Sequence, residues 1–192
     1  MNHKNLLFFK DWKIFSSLFC YYLKIKEGKQ MNIFVVDKDP KIAAKSLCDK
    51  HVIKMILESA QLLSTHDRLN GLEGERYKIT HRNHPCRISL NNKFNYIWLC
   101  KHLNYLLEEY THRFNKVHKT STIFLKFWKP FVKEQLDFSK CEFVQCMSEE
   151  FKYSNVILAY RSYYNYKSTV MKSFKYTNRK RPEWLDGEMK ND

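Results

Sequence analysis

The 192-residue sequence predicts a mainly α-helical protein, a compact single domain of three long helices joined by irregular loops. Three observations support this fold class. Only four glycines and four prolines are present, which is few for a β-rich or disordered chain. The hydrophobic fraction of 44% is sufficient for a packed core. Several long stretches also repeat their apolar residues at helical spacing.

The first long helix is predicted from Pro40 to about Thr65. Asp39 is a typical N-cap residue, and proline is favoured at the first helical position. Apolar residues then recur three or four positions apart, at Leu47, Val52, Met55, Ile56, Ala60, Leu62 and Leu63. The apolar run of residues 32–36 before this helix is predicted to form a short strand or an extended arm.

The second long helix is predicted from about Arg87 to Phe114, where leucines and aromatic residues are frequent. The third is predicted from about residue 149 to residue 175. Residues 66–80, which contain two glycines, are predicted to form an exposed loop. Residues 131–147 are predicted to be irregular, and a basic, proline-interrupted segment at 177–185 follows the third helix.

The chain is expected to have three parts: an extension at 1–30, a folded domain at 31–185 and a disordered tail at 186–192. An aromatic, apolar stretch within the extension is typical of a signal peptide, a packing helix or a membrane-surface helix. A further hypothesis is that the extension is not part of the native protein. Lys26-Glu27-Gly28-Lys29 is what a purine-rich ribosome-binding site encodes when translated, and Met31 follows at a suitable distance, so Met31 would be the true start.

The chain is strongly basic, with 34 lysines and arginines against 20 acidic residues and a formal net charge of +14. A positive field of this size attracts polyanions, either nucleic acid or an anionic membrane surface. A solubilising surface and the codon bias of an AT-rich genome are alternative explanations. No apolar run reaches membrane-spanning length, so a spanning helix is not expected.

Six cysteines are spread along the chain without a close Cys-x-x-Cys pair. Isolated cysteines are usually small core residues, and this spacing provides no zinc framework. The cysteines therefore favour a reducing, intracellular compartment, and we expect neither a metal nor a cofactor.

His51 and Glu58 form the first candidate site. They are seven residues apart, which is two helical turns, so both lie on one face of the first predicted helix. Buried ionisable groups are costly unless they are paired, so the two residues either line a site or belong to a solvated face. On a solvated face, Lys54 would form an i,i+4 ion pair with Glu58.

The segment His81-Arg82-Asn83-His84-Pro85 forms the second candidate site. A metal site that also uses His51 is one interpretation, but the motif itself contains no acidic residue. In another interpretation, His84 caps a helix end within a turn. The third is phosphate binding by Arg82, His84 and Arg87, which stand together near a helix N-terminus.

A third cluster lies near the C-terminus, where Arg179, Lys180 and Arg181 precede Trp184. Cations beside an aromatic ring suit phosphate contacts combined with stacking or wedging between bases. A disordered basic tail with a docked tryptophan is the alternative interpretation.

These motifs resemble the phage pyrimidine-dimer DNA glycosylases, also called endonuclease V. That family carries a Leu-x-Asp-x-His segment with its catalytic glutamate nine residues after the aspartate. Leu47-Cys48-Asp49-Lys50-His51 is followed by Glu58 at the same interval. Three further motifs of the family have similar counterparts here, in the same order: Glu109-Tyr110-Thr111-His112-Arg113-Phe114-Asn115, Ser148-Glu149-Glu150-Phe151 and Arg181-Pro182-Glu183-Trp184.

The resemblance implies a compact three-helix fold and a glycosylase that is also an AP lyase acting on damaged pyrimidines in duplex DNA. In the family, the α-amine of the mature N-terminus attacks C1′, expels the base and forms a Schiff base, after which β-elimination cuts the strand. Here the amine would belong to Met31, with Asn32 next to it. Glu58 would stabilise the developing charge and move protons, and His51 would support it.

The resemblance further implies a monomer that binds double-stranded DNA and no membrane, in the cytoplasm of an infected host or in a virion. Two departures affect the site. Leu57 stands where the family has an arginine before its glutamate, and an amine on Met31 is displaced by one residue from the family pattern. The alternatives are a non-catalytic DNA-binding protein on the same scaffold, and a nucleotide- or base-modifying enzyme that uses His51, Glu58, His81 and His84.

Overall fold

The structure is a computed structural model that describes residues 31–185. The predicted extension at 1–30 and the predicted tail at 186–192 lie outside the described residues. All elements described below belong to the unit that begins at Asn32. Within residues 31–185 the regular structure is helical and contains no strand, which confirms the predicted mainly-α class.

Six α-helices occur among the described residues: α1 (Pro40–Ser46), α2 (Asp49–Leu69), α3 (Pro85–Ile88), α4 (Lys93–Phe114), α5 (Thr120–Phe127) and α6 (Val156–Val170). Short 3-10 turns lie between and after them: Ser89–Asn91, Lys129–Lys133, Phe138–Lys140, Glu149–Phe151 and Glu183–Leu185. The three longest helices, α2, α4 and α6, correspond to the three predicted ones. No helix in the described part of the chain is long and apolar enough to cross a membrane.

The prediction of one continuous first helix is wrong, because this segment forms two helices, α1 and α2. The chain is extended at Leu47 and Cys48, between the two helices. The carbonyl oxygens of Lys45 and Leu47 accept hydrogen bonds from Arg113 at 3.0 and 2.8 Å. The Cys48 amide donates to the Tyr164 hydroxyl at 2.8 Å. Bonds to distant residues thus replace the helical bonds at this point, although the apolar spacing continues through it.

The other two predicted helices are also too long. The Asn92 side chain accepts hydrogen bonds from the amides of Phe94 and Asn95, so α4 begins at Lys93 rather than at Arg87. Asn155 caps α6 in the same way, so this helix begins at Val156 and not at residue 149 as predicted. Glu149–Phe151 is a separate 3-10 turn. Helix α6 stops at Val170, and α5 lies in a segment for which no helix was predicted.

The core is formed where α4 packs against α1 and α2. Its largest fully buried side chains include Trp98, Trp128, Tyr160 and Tyr164. Residues 32–36 form a buried arm without regular secondary structure, in which Phe34 has a positive φ of 53°. The arm and α2 are therefore both fixed within the core, and these two elements carry the candidate catalytic residues.

Residues 66–69 of the predicted loop instead belong to α2, whereas residues 70–80 form a mostly exposed loop that is anchored at a buried carboxylate of α2. Asp67, which is 1% exposed, accepts hydrogen bonds from Arg76 at 2.8 Å, Tyr96 at 2.8 Å and Trp128 at 2.9 Å. A buried carboxylate with three donors is fully compensated. The loop is thereby tied to α4 and to the end of α5.

Candidate active site

Glu58 lies on α2 with its side chain 17% exposed. Its Oε1 is 3.3 Å from Lys54 Nζ, which is the i,i+4 ion pair expected of a solvated face. Its Oε2 is buried and has no hydrogen-bond partner among residues 31–185. Burial raises the pKa of the Glu58 carboxyl, and the positive charge of Lys54 opposes this. A half-buried carboxylate with one uncommitted oxygen is typical of a functional site rather than of a surface ion pair.

Glu58 lies within electrostatic range of the turn that contains His81 and of Cys86 in α3. After burial and Lys54, the charge of His81 also affects the Glu58 pKa, in the lowering direction. The Cys86 pKa is raised by its hydrogen bond to Cys146, by burial, and further by the charges of Cys146 and Glu58. The second predicted site therefore lies within electrostatic range of Glu58.

The start of the described domain is fixed to the same neighbourhood. Asn32 is buried, and its Nδ2 donates a 2.7 Å hydrogen bond to the carbonyl oxygen of Cys146. Its Oδ1 accepts from the amides of Ile33 and Phe34 at 2.8 and 3.2 Å. The Cys146 sulfur in turn lies 3.3 Å from the Cys86 sulfur. Asn32 is thus connected to Cys86, whose pKa the charge of Glu58 affects, and Met31 immediately precedes Asn32 in the sequence.

His51 is placed differently from the expectation that it supports Glu58. Its ring stacks on Phe34 with centroids 4.6 Å apart, and its Nδ1 lies 2.8 Å from the Tyr164 hydroxyl. That hydroxyl accepts the Cys48 amide and can donate its own hydrogen to Nδ1. Burial lowers the His51 pKa to about 3, so the ring is neutral at physiological pH. His51 therefore fixes the arm to α2 and α6 through Phe34 and Tyr164.

Arg82 and His84 lie in the turn before α3, and Arg87 lies in α3 itself. Arg82 is exposed, and the Arg87 Nε donates to its carbonyl oxygen at 2.7 Å. His84 is the N-cap of α3, with its Nδ1 accepting from the Cys86 amide at 3.2 Å. The capping interpretation of His84 therefore describes the observed geometry.

The C-terminal cluster is only partly available for phosphate binding. Arg179 donates two hydrogen bonds to Glu109, at 2.6 and 2.8 Å, so a phosphate would have to displace that carboxylate. Lys180 is 84% exposed and pairs only with the exposed Glu183 at 3.2 Å. The Arg181 guanidinium lies 5.8 Å from the Phe174 ring. Arg179 therefore pairs with a carboxylate of the domain, whereas Lys180 lies at the surface.

Trp184 is half-buried and docked on the domain rather than carried on a free tail. The guanidinium of Arg161 lies 5.2 Å from the Trp184 ring centroid, and the Tyr164 ring lies 6.1 Å away. Nearby, the Asp49 amide donates to the Lys175 carbonyl oxygen at 2.8 Å. The docked-tryptophan interpretation fits this geometry, and the segment is held against the start of α2.

Sequence reasoning missed the pairing of Cys86 with Cys146. The two residues are 60 positions apart, so no spacing rule could detect it. It also missed the partner of His51, because the Tyr164 hydroxyl comes from a different helix, 113 residues along the chain.

Comparison with known proteins indicates the class of DNA repair glycosylases. Residues 31–122 match the family described as pyrimidine dimer DNA glycosylase. The matched segment is slightly less than half of the 192 residues and contains Met31, Asn32, His51, Glu58 and residues 81–87. The resemblance noted from the sequence is thereby confirmed, and the substrate class it indicates is DNA. No curated protein and no solved structure matches the chain.

Proposed function

We propose that this protein is a DNA glycosylase with AP-lyase activity on damaged pyrimidines in duplex DNA. The observation that carries the proposal is the half-buried Glu58 carboxylate within the matched segment, whose Oε2 has no partner among the described residues. A carboxylate in a low-dielectric environment interacts more strongly with a developing positive charge than a solvated one does.

In the proposed reaction, the nucleophile is the α-amine of a chain that begins at Met31. An α-amine has a pKa near 8, against about 10.4 for lysine, so much more of it is unprotonated at neutral pH. Its lone pair attacks C1′, the bond from C1′ to the base breaks, and the base leaves with the bonding electrons. Opening of the sugar ring then gives the Schiff base. Loss of a proton from C2′ expels the 3′ phosphate and cuts the strand.

Glu58 has two tasks in this scheme. Its negative charge stabilises the oxocarbenium-like sugar, and its carboxylate accepts and returns the protons of the later steps. Lys54 pairs with Oε1, so Oε2, which has no partner among residues 31–185, is the oxygen that we assign to these tasks. His51 is a positioning residue, because its contacts with Phe34 and Tyr164 hold the arm that follows Met31.

Two cationic groups would bind the duplex. Arg82 and Arg87 belong to the second predicted site, which lies within electrostatic range of Glu58, whereas Lys180 belongs to the segment held near the start of α2. Asp49 and Glu58 are nine residues apart on α2, which corresponds to about 14 Å at a rise of 1.5 Å per residue. That length equals about four base pairs along a duplex. Both groups can therefore contact the backbone around a single damaged nucleotide.

Borohydride trapping on an abasic or UV-irradiated duplex tests the proposal, with protein that begins at Met31. We expect a covalent protein–DNA adduct that is lost in Glu58→Gln and retained in the matched control Glu150→Gln, whose side chain is exposed. Salt-sensitive binding without an adduct or strand cleavage would contradict the proposal and indicate a non-catalytic DNA-binding protein. Base modification without cleavage would contradict it in favour of a nucleotide- or base-modifying enzyme.

A further inference from the structure

The side chains of His84, Cys86 and Cys146 converge on one point. A ring nitrogen of His84 and the two sulfurs all lie within 4.8 Å of one another. They come from two distant parts of the chain: the turn that leads into α3, and the loop before the Glu149–Phe151 turn. We propose that these three residues bind a Zn²⁺ ion. The proposal rests on these side chains and is independent of the proposed glycosylase reaction.

The ligand types are those that zinc prefers. Thiolate and imidazole bind Zn²⁺ in both structural and catalytic sites, and two thiolates neutralise its charge. Zn–S distances of about 2.3 Å at a tetrahedral angle place two sulfurs about 3.8 Å apart. Cys86 and Cys146 have their sulfurs 3.3 Å apart, so a separation change of about 0.5 Å accommodates the ion. A disulfide bond would require an approach to about 2.05 Å, a larger change.

His84, the third ligand, also has a ring nitrogen that can bind a metal ion. His84 Nδ1 accepts the Cys86 amide at 3.2 Å, so it carries a lone pair in the neutral ring. Zinc binds an unprotonated ring nitrogen, which the neutral imidazole supplies. Cys86 and Cys146 are buried, whereas His84 is partly exposed, which gives the ion a path of entry from the side of the imidazole.

A site with three protein ligands keeps one coordination position for water. Its first consequence here is structural. Zinc would fix the Cys146 loop to residues 81–87, and the Cys146 carbonyl oxygen accepts the Asn32 side chain at 2.7 Å. Occupancy of the site would therefore also order the arm that begins at Asn32.

The test uses the full 192-residue chain, purified with a reductant, with metal analysis and replacement of zinc by Co²⁺. We expect about one zinc per chain and, with Co²⁺, the sulfur-to-metal charge-transfer and intense d–d absorption of tetrahedral thiolate coordination. Cys86→Ser and Cys146→Ser should each abolish these bands. The matched control Cys141→Ser should keep them, because Cys141 lies outside the cluster.

His84→Asn is a further variant, since asparagine can still cap α3 but supplies no imidazole. It should lower zinc affinity by more than about tenfold, because one of the three protein ligands is removed. Absence of bound metal while thiol titration shows both cysteines reduced would overturn the proposal. Equal metal content in the Cys86→Ser, Cys146→Ser double variant would also overturn it. The Co²⁺ spectrum of the unmodified protein identifies thiolate ligands even where a variant fails to fold.

Metal binding and borohydride trapping are separate readouts. Zinc binding without an adduct would support the metal site and contradict the glycosylase proposal. An adduct formed by reduced protein that binds no zinc would support the glycosylase proposal and contradict the metal site.

Discussion

Replacing Arg113 with methionine should strongly destabilise the protein, because its guanidinium holds the junction between α1 and α2. The side chain is fully buried. It donates to the carbonyl oxygens of Leu47 and Lys45 at 2.8 and 3.0 Å, and to the carboxylates of Asp49 and Glu109 at 3.0 and 2.9 Å. Methionine fills much of the same volume but satisfies none of these acceptors.

The size of the loss in the free energy of unfolding depends on which groups lose their hydrogen-bond donor. Removing one partner of a buried ion pair usually costs about 3–5 kcal/mol, and an orphaned buried carbonyl adds to this. Glu109 keeps Arg179 and Asp49 keeps Thr177, so both carboxylates remain partly compensated. We therefore expect Arg113→Met to lower the free energy of unfolding by about 3–5 kcal/mol rather than more.

Urea unfolding at pH 7, followed by circular dichroism, measures this loss. The matched control is Lys126→Met, which removes a cation paired with Glu75 at the surface, where both side chains are more than half exposed. Surface pairs contribute about 0–1 kcal/mol, so the control should change little. If Arg113→Met costs less than about 1 kcal/mol, or no more than Lys126→Met, the assigned role of Arg113 is wrong.

Three further predictions concern charge. Glu58→Gln should be at least as stable as the unmodified protein at pH 7, because it removes a charge that burial disfavours; a lower urea midpoint would contradict this. Burial lowers the pKa values of His51 and His102 to about 3, whereas unfolded histidine titrates near 6.5. The unfolded state therefore takes up the protons, and the free energy of unfolding should fall by about 2 kcal/mol per histidine between pH 7 and pH 5; a flat profile would refute this. Lys180→Ala should weaken binding to every duplex and reduce the slope of log K against log salt by about one; an unchanged slope would place Lys180 away from DNA.

Local sequence patterns predicted the three long helices but not where they begin and end. Apolar spacing is sufficient to identify α2 and α4, because both bury one side against the other. The starts of α4 and α6 were predictable in principle, since Asn92 and Asn155 are typical N-cap residues. The break at Leu47 was not, because the donor that captures the carbonyls is Arg113, 66 residues further along the chain.

In the candidate site too, features within one helix could be predicted from the sequence, whereas contacts between distant segments could not. The interval between Asp49 and Glu58 is local, so the sequence alone is sufficient to predict Glu58 as a site residue, and the matched family segment includes it. His51 shares that helix but bonds to Tyr164 of α6, 113 residues further along the chain. Cys86 and Cys146 are likewise 60 residues apart. Contacts between distant segments cannot be read from residue spacing.

The identity of the nucleophile tests the central claim most directly. Protein that begins at Met31 is trapped with borohydride on an abasic duplex and digested, and mass spectrometry locates the sugar remnant. The α-amine of Met31 should carry it. A remnant on the side chain of Lys54, which lies 3.3 Å from Glu58, or on any other lysine would contradict the proposed mechanism.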